Sequence, residues 1–199
     1  MKNLYLRSML AAACAVTLAA CGGSGGNLYL SGQVANLAKD GLILLNNGES
    51  LPVPAGQASF VFTKLIKTDD RYDITIAQQP KGAVCIITNG SGKATSYSAS
   101  TAVVSCQTNT YALSGKITGL TAGGLRLVMA PNGISPLAGA DFYKFDSVAD
   151  GATYGISILT QPTGLTCRFQ GSKSADASDT VGTMGSAATT AATLDCTPQ

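Results

Sequence analysis

From residue 27 onward, apolar and polar positions alternate with a period of two. Tyr72, Ile74 and Ile76 share one parity and Asp73 and Thr75 the other. Tyr154, Ile156 and Ile158 repeat the arrangement around Gly155 and Ser157. This alternation predicts half-buried β-strands, because successive side chains of a strand point to opposite faces. Phe60 and Phe62 alternate likewise around Val61. Turn signals separate the runs: Asn47-Gly48 and Asn132-Gly133, each between apolar segments, and Asn89-Gly90-Ser91-Gly92. Asn-Gly in that setting is a strong hairpin signal. Pro80 and Pro162 follow their strands and end them, since proline has no N–H for a ladder. Residues 175–193, rich in Ala, Thr, Gly and Ser, read as an irregular loop feeding the last strand. Short strands at this spacing, about seven in each half, predict all-β sandwiches.

The pattern occurs twice. Leu30-Ser31-Gly32-Gln33-Val34 returns as Leu113-Ser114-Gly115-Lys116-Ile117, and Gly41-Leu42-Ile43-Leu44 as Gly124-Leu125-Arg126-Leu127. Asn47-Gly48 is matched to Asn132-Gly133, and Phe60 with Phe62 to Tyr143 with Phe145. Gln79-Pro80-Lys81-Gly82 followed by Cys85 returns as Gln161-Pro162-Thr163-Gly164 followed by Cys167, and each copy closes on a further cysteine, Cys106 or Cys196. The expected organisation is two tandem domains, 27–110 and 111–199. No charged or proline-rich linker separates them, so they are expected to abut.

Ahead of the repeats, residues 1–20 read as a signal peptide and stay out of the fold reasoning. Lys2 and Arg7 form a basic start, and Met9 to Ala20 an apolar stretch well short of the about 20 residues a membrane span needs. Leu18-Ala19-Ala20-Cys21 is similar to the lipobox of bacterial lipoproteins, which makes Cys21 the expected acylation site. Residues 21–26, Cys followed by Gly22-Gly23-Ser24-Gly25-Gly26, form a flexible tether. Gly rather than Asp at position 22 implies, by the same resemblance, the outer membrane of the envelope.

Cys14 lies in the leader and Cys21 at the lipid site, which leaves four of the six cysteines. Four cysteines allow three pairings. The repeat selects Cys85 with Cys106 and Cys167 with Cys196, one bridge per domain, in an exported protein where disulfides persist.

Composition narrows the chemistry. The chain has 199 residues, 13 basic and 11 acidic, with no His and no Trp. Without Lys2 and Arg7 the charges balance, which leaves no electrostatic footprint for nucleic acid. Without His, the commonest general base and the usual activator of Ser or Cys nucleophiles is missing. The cysteines lack C-x-x-C spacing, which argues against a metal site. Glu49, the sole Glu, sits at an expected turn as a solvated carboxylate. Asp69-Asp70 reads as turn chemistry rather than a Ca²⁺ pair. Asn89-Gly90-Ser91-Gly92-Lys93-Ala94 imitates a phosphate loop but has Ile87 and Ala94 where Gly and Ser/Thr belong. Tyr72 and Tyr154 read as core residues with their hydroxyls at the edge. A Ser–Lys dyad is the remaining enzymatic alternative.

Taken together, L-S-G-x-[VI], G-L-x-L, N-G, F-x-F, Y-x-I-x-I and Q-P-x-G-x-x-C resemble a group of proteobacterial lipoproteins that carry this unit singly or in tandem. The resemblance implies an Ig-like or transthyretin-like β fold and an envelope location, and brings no catalytic residue, cofactor or metal. The expectation is a non-enzymatic structural or protein-interaction module, held to the membrane by its N-terminal lipid. The candidate partners are another envelope protein or a glycan, with glycan or small-ligand binding as the alternative function.

Overall fold

A computed structural model describes residues 26–199; the expected leader, Cys21 and the tether up to residue 25 lie outside the described residues. The first half runs through β1 (Ser31–Ala35), β2 (Leu42–Asn46), β3 (Glu49–Val53), β4 (Ser59–Val61), β5 (Arg71–Asp73), β6 (Thr75–Gln78), β7 (Ala83–Thr88), β8 (Ser91–Lys93) and β9 (Ala102–Thr108). The second runs through β10 (Thr110–Thr118), β11 (Arg126–Met129), β12 (Asn132–Ile134), β13 (Phe142–Ala149), β14 (Thr153–Thr160), β15 (Leu165–Phe169), β16 (Asp179–Thr183), β17 (Thr189–Thr190) and β18 (Leu194–Pro198). Among the described residues the protein is all-β, with one 3₁₀ turn at Ser98–Ser100. Among the described residues no helix is long and apolar enough to cross a membrane.

Each half is a sandwich of two sheets. One sheet is ordered β4-β1-β9-β7 in the first half and β13-β10-β18-β15 in the second. The facing sheet is β12-β11-β14-β16 in the second half. In the first half it divides into β3-β2-β6 and β5-β8, because the strand that stays continuous as β14 breaks at Ile74. The first and last strands of each half pair in parallel, β1 with β9 and β10 with β18. The inward parities form two separate cores. One is built on Leu30, Leu42, Leu44, Phe62 and Val104, the other on Leu113, Leu125, Leu127, Tyr143, Ile156 and Leu194.

Phe60 and Phe62 both point inward, with Val61 exposed between them, as the alternation requires. Gly32 lies directly opposite Phe60, and Gly115 opposite Tyr143. A Cβ at either glycine would run into the facing ring. The L-S-G motif therefore marks where an aromatic side chain lies across a neighbouring strand.

Three expectations are corrected. Asn47-Gly48 does form the β2–β3 hairpin, both residues at positive φ. Asn132-Gly133, however, lies inside β12, and the β11–β12 turn is Ala130-Pro131, joined by a cis peptide bond. Pro131 carries the turn that the Asn-Gly signal suggested two residues later. Residues 175–193 are not one irregular loop: β16 pairs with β14 from Thr153 to Ser157, and β17 pairs with β10. That region lacks the apolar alternation that announces a strand, and β14 supplies the edge that organises it. Finally, each half carries nine strand segments rather than about seven.

Candidate functional site

Cys85 bonds Cys106 and Cys167 bonds Cys196. Each bridge joins two neighbouring strands of one sheet, β7 to β9 and β15 to β18, rather than tying the two sheets together. Cys85 and Cys106 are directly opposite, with Cα atoms 4.0 Å apart. That is the spacing of a non-hydrogen-bonded pair, so the N–H and C=O of Cys85 face the open edge of the sheet.

The Gln79 side chain occupies that edge. Cys85 N donates to Gln79 Oε1 at 2.8 Å, and Gln79 Nε2 donates to Cys85 O at 2.9 Å. Gln161 does the same at Cys167, at 2.8 and 3.0 Å. Pro80 and Pro162 are buried, and Gly82 and Gly164 take positive φ at the turn between the amide and its target. The Q-P-x-G-x-x-C motif is thus a device that covers an edge strand. One amide satisfies the donor and acceptor that another chain would otherwise pair with. Reading the cysteine as the motif's centre missed this role of Gln79 and Gln161; their fixed spacing of six residues from the cysteine was the available signal.

The two sandwiches meet at a joint one residue long. β9 ends at Thr108 and β10 begins at Thr110. Asn109 N donates to Gly82 O of the first half, and Asp150 N of the second donates to Asn109 O, both at 2.9 Å. Beside this, Lys39 Nζ donates to Asp150 Oδ1 at 2.9 Å and to Asp150 O at 2.7 Å. The Asp150 side chain is 8% exposed and that of Lys39 24%. The Lys39 hydrogen bond, foremost among several causes, holds the Asp150 carboxyl below its ordinary value. Neither residue stood out in the sequence.

The residues singled out for chemistry lie apart and serve the fold. Glu49 is not a free carboxylate: it accepts from Thr63 N and Thr63 Oγ1 at 2.7 and 2.6 Å, and from Lys64 N at 3.1 Å. Partial burial works to raise its pKa, but these hydrogen bonds outweigh it and the net shift is downward. Asp69 sits at positive φ, and Asp70 accepts from Lys67 N, which is turn chemistry. Asn89, also at positive φ, opens the β7–β8 turn. Tyr72 is buried and donates to Ser98 O at 3.1 Å. Tyr154 is half-buried. Among the described residues, Lys39 and Lys144 pair with Asp150 and Asp146, and no group of three or more His, Cys, Asp or Glu is placed to hold a metal ion. A surface depression of about 560 Å³ lies on the second sandwich around Arg168, Gln170, Asp195 and Thr197. Hydrogen bonds from Thr118 and then Gln170 hold the Asp195 carboxyl low.

No protein-family model and no curated protein matches the chain. Two solved structures are similar over most of its length. The minor pilin GBS52 of Streptococcus agalactiae has 8% identity and a TM-score of 0.32, over 87% of this chain and 97% of its own. A C-terminal fragment of the pilus adhesin SpaC from Lactobacillus rhamnosus GG has 11% identity and a TM-score of 0.34, over 85% and 98%. Likeness at this level assigns no function to the chain.

Proposed function

We propose that this chain is a lipid-anchored, non-enzymatic module of a bacterial envelope, acylated at Cys21 and held at the outer membrane. In this reading its two sandwiches act as a stiff spacer that displays a protein-interaction surface. The observation that carries it is the joint. One linker residue, bonded through its backbone to both halves and flanked by the Lys39–Asp150 pair, suits a body that holds a fixed shape. A hinged enzyme cleft calls for the reverse.

Anchoring is tested by fractionating cells that express the wild type and Cys21→Ser. The wild type is expected in the membrane fraction with an acylated N-terminal peptide, and the variant in the soluble fraction. A variant that stays with the membrane would remove the anchor from this reading. The stiffness is tested by paired spin labels, one on each sandwich. A single narrow distance distribution is expected, and a broad one would sink the spacer. The alternative, a small polar ligand, rests on the depression around Arg168 and Asp195; saturable chemical-shift changes confined to those residues on adding envelope glycan fragments would favour it.

A further inference from the structure

The two copies of the repeat differ in charge on the outer face of the sheet β4-β1-β9-β7 and its counterpart β13-β10-β18-β15. In the second sandwich the outward positions carry Lys116, Lys144, Arg168 and Asp195. The matched positions in the first are Gln33, Val61, Ile86 and Ser105. No outward position on the four strands of the first sheet is charged; besides Ala35, Val61, Val84, Ile86 and Val103, the rest are Ser, Thr or Gln. Val61, Val84 and Ile86 are 50%, 52% and 62% exposed. The same fold keeps charges on this face in one copy and none in the other, so the fold does not dictate the loss.

We infer that this face of the first sandwich is a self-association surface, packing against the same face of a second copy about a two-fold axis. Two observations favour a second copy over an added strand or a charged partner. The edges beside the face offer little to an added strand, since Gln79 occupies the Cys85 position on β7 and β4 has only three residues. A two-fold axis sets a surface against itself, and here it sets no charge against a like charge and desolvates none. On the second sandwich the same operation would bury five charges per copy, those four and Asp146, which pairs with Lys144. Size sets the conditions. Four strands about 4.8 Å apart and up to seven residues long, at about 3.3 Å per residue, offer roughly 440 Å² per copy. A stable dimer buries about 800 Å² per partner. The face is therefore too small to hold a dimer in dilute solution, and suffices where two copies share a membrane and meet at high effective concentration. That setting rests on the anchoring proposed above. An axis lying in the interface along the membrane normal leaves both N-termini on the same side.

The test places one cysteine at Gln33→Cys on this face, or at Ser50→Cys on the opposite sheet, and applies a bifunctional maleimide. The full-length chain is treated in envelope vesicles. In parallel, residues 22–199 with an N-terminal polyhistidine tag are treated on nickel-lipid vesicles and in dilute solution. The vesicle arm needs no acylation, so a failure of anchoring at Cys21 and a failure of self-association give different results. Dimer cross-linked through position 33 is expected on both membranes, at least ten-fold above position 50, and not in dilute solution. Adding Ile86→Arg, which restores the charge that Arg168 places at the matched position, is expected to cut the yield at least ten-fold. The second sandwich accommodates arginine there, so folding is preserved, and circular dichroism checks it. Equal yields at 33 and 50, an Ile86→Arg yield equal to that of the parent, or cross-links from 33 only to a different envelope protein would overturn the inference.

Discussion

Lys39 and Asp150, 111 residues apart in the chain, form the one ion pair that crosses the joint among the described residues. The ammonium grips both the carboxylate and the backbone carbonyl of the same aspartate. It therefore fixes where the β13–β14 turn sits as well as balancing a charge. Replacing Lys39 with Met is expected to leave both sandwiches folded and to broaden the distance distribution between spin labels on the two halves. An unchanged distribution would mean that Asn109 alone sets the geometry.

Acid should open the same joint. The folded-state pKa of Asp150 lies below its ordinary value of 3.8. A carboxyl shifted downward contributes stability that is present above its unfolded pKa and is lost as pH falls through the folded one. The joint is thus expected to stay closed at pH 4 and above and to loosen only at lower pH. Asp150→Asn should abolish that acid dependence, as followed by the same labels across a pH series.

Gly82 and Gly164 provide an internal control. Both sit at positive φ, +78° and +70°, so Ala at either costs about 1–2 kcal/mol of backbone strain. A Cβ at Gly82 would also meet the Asp150 carboxylate at 2.5 Å, whereas nothing lies within 4 Å at Gly164. Gly82→Ala is expected to alter the interdomain geometry while Gly164→Ala lowers only stability, as small-angle scattering and urea unfolding would report.

Removing the edge cover should have two effects. Gln79→Ala loses two hydrogen bonds, roughly 1–3 kcal/mol in total, and exposes the backbone of Cys85. Urea midpoints should fall, and association through β7 should rise in light scattering. A variant that loses stability and stays monomeric would show that the edge needs no guard.

Tyr143 sets an alkaline limit. Its hydroxyl is buried and donates to Ala192 O at 2.7 Å; burial, with a smaller effect from Tyr154, pushes its pKa well above the ordinary 10.0. A group shifted upward contributes stability that is whole below the unfolded pKa and is lost as pH rises toward the folded one. The second sandwich should begin to lose stability above pH 10, and Tyr143→Phe should remove that dependence at a cost of about 1 kcal/mol. Melting curves at pH 8 and 11 decide it.

The sequence alone determined what depends on short range and repetition. Strand alternation is a local property of the pleat, so Phe60, Phe62, Tyr72 and Ile74 could be placed inward before any coordinates. The internal repeat singled out one cysteine pairing from three. It also exposed Q-P-x-G-x-x-C as a unit, although that the glutamine was its working part became visible only when the edge of β7 did. Tertiary structure decided the rest. Residues 179–183 are a strand because β14 offers them partners, and the β11–β12 turn falls at Ala130-Pro131 because the pairing of β11 with β12 sets it there. Lys39 and Asp150 meet because two sandwiches with separate cores are joined by a single residue. Contacts between surfaces distant in the chain leave no periodic trace in either, and that is why the joint and the uncharged face came from the fold.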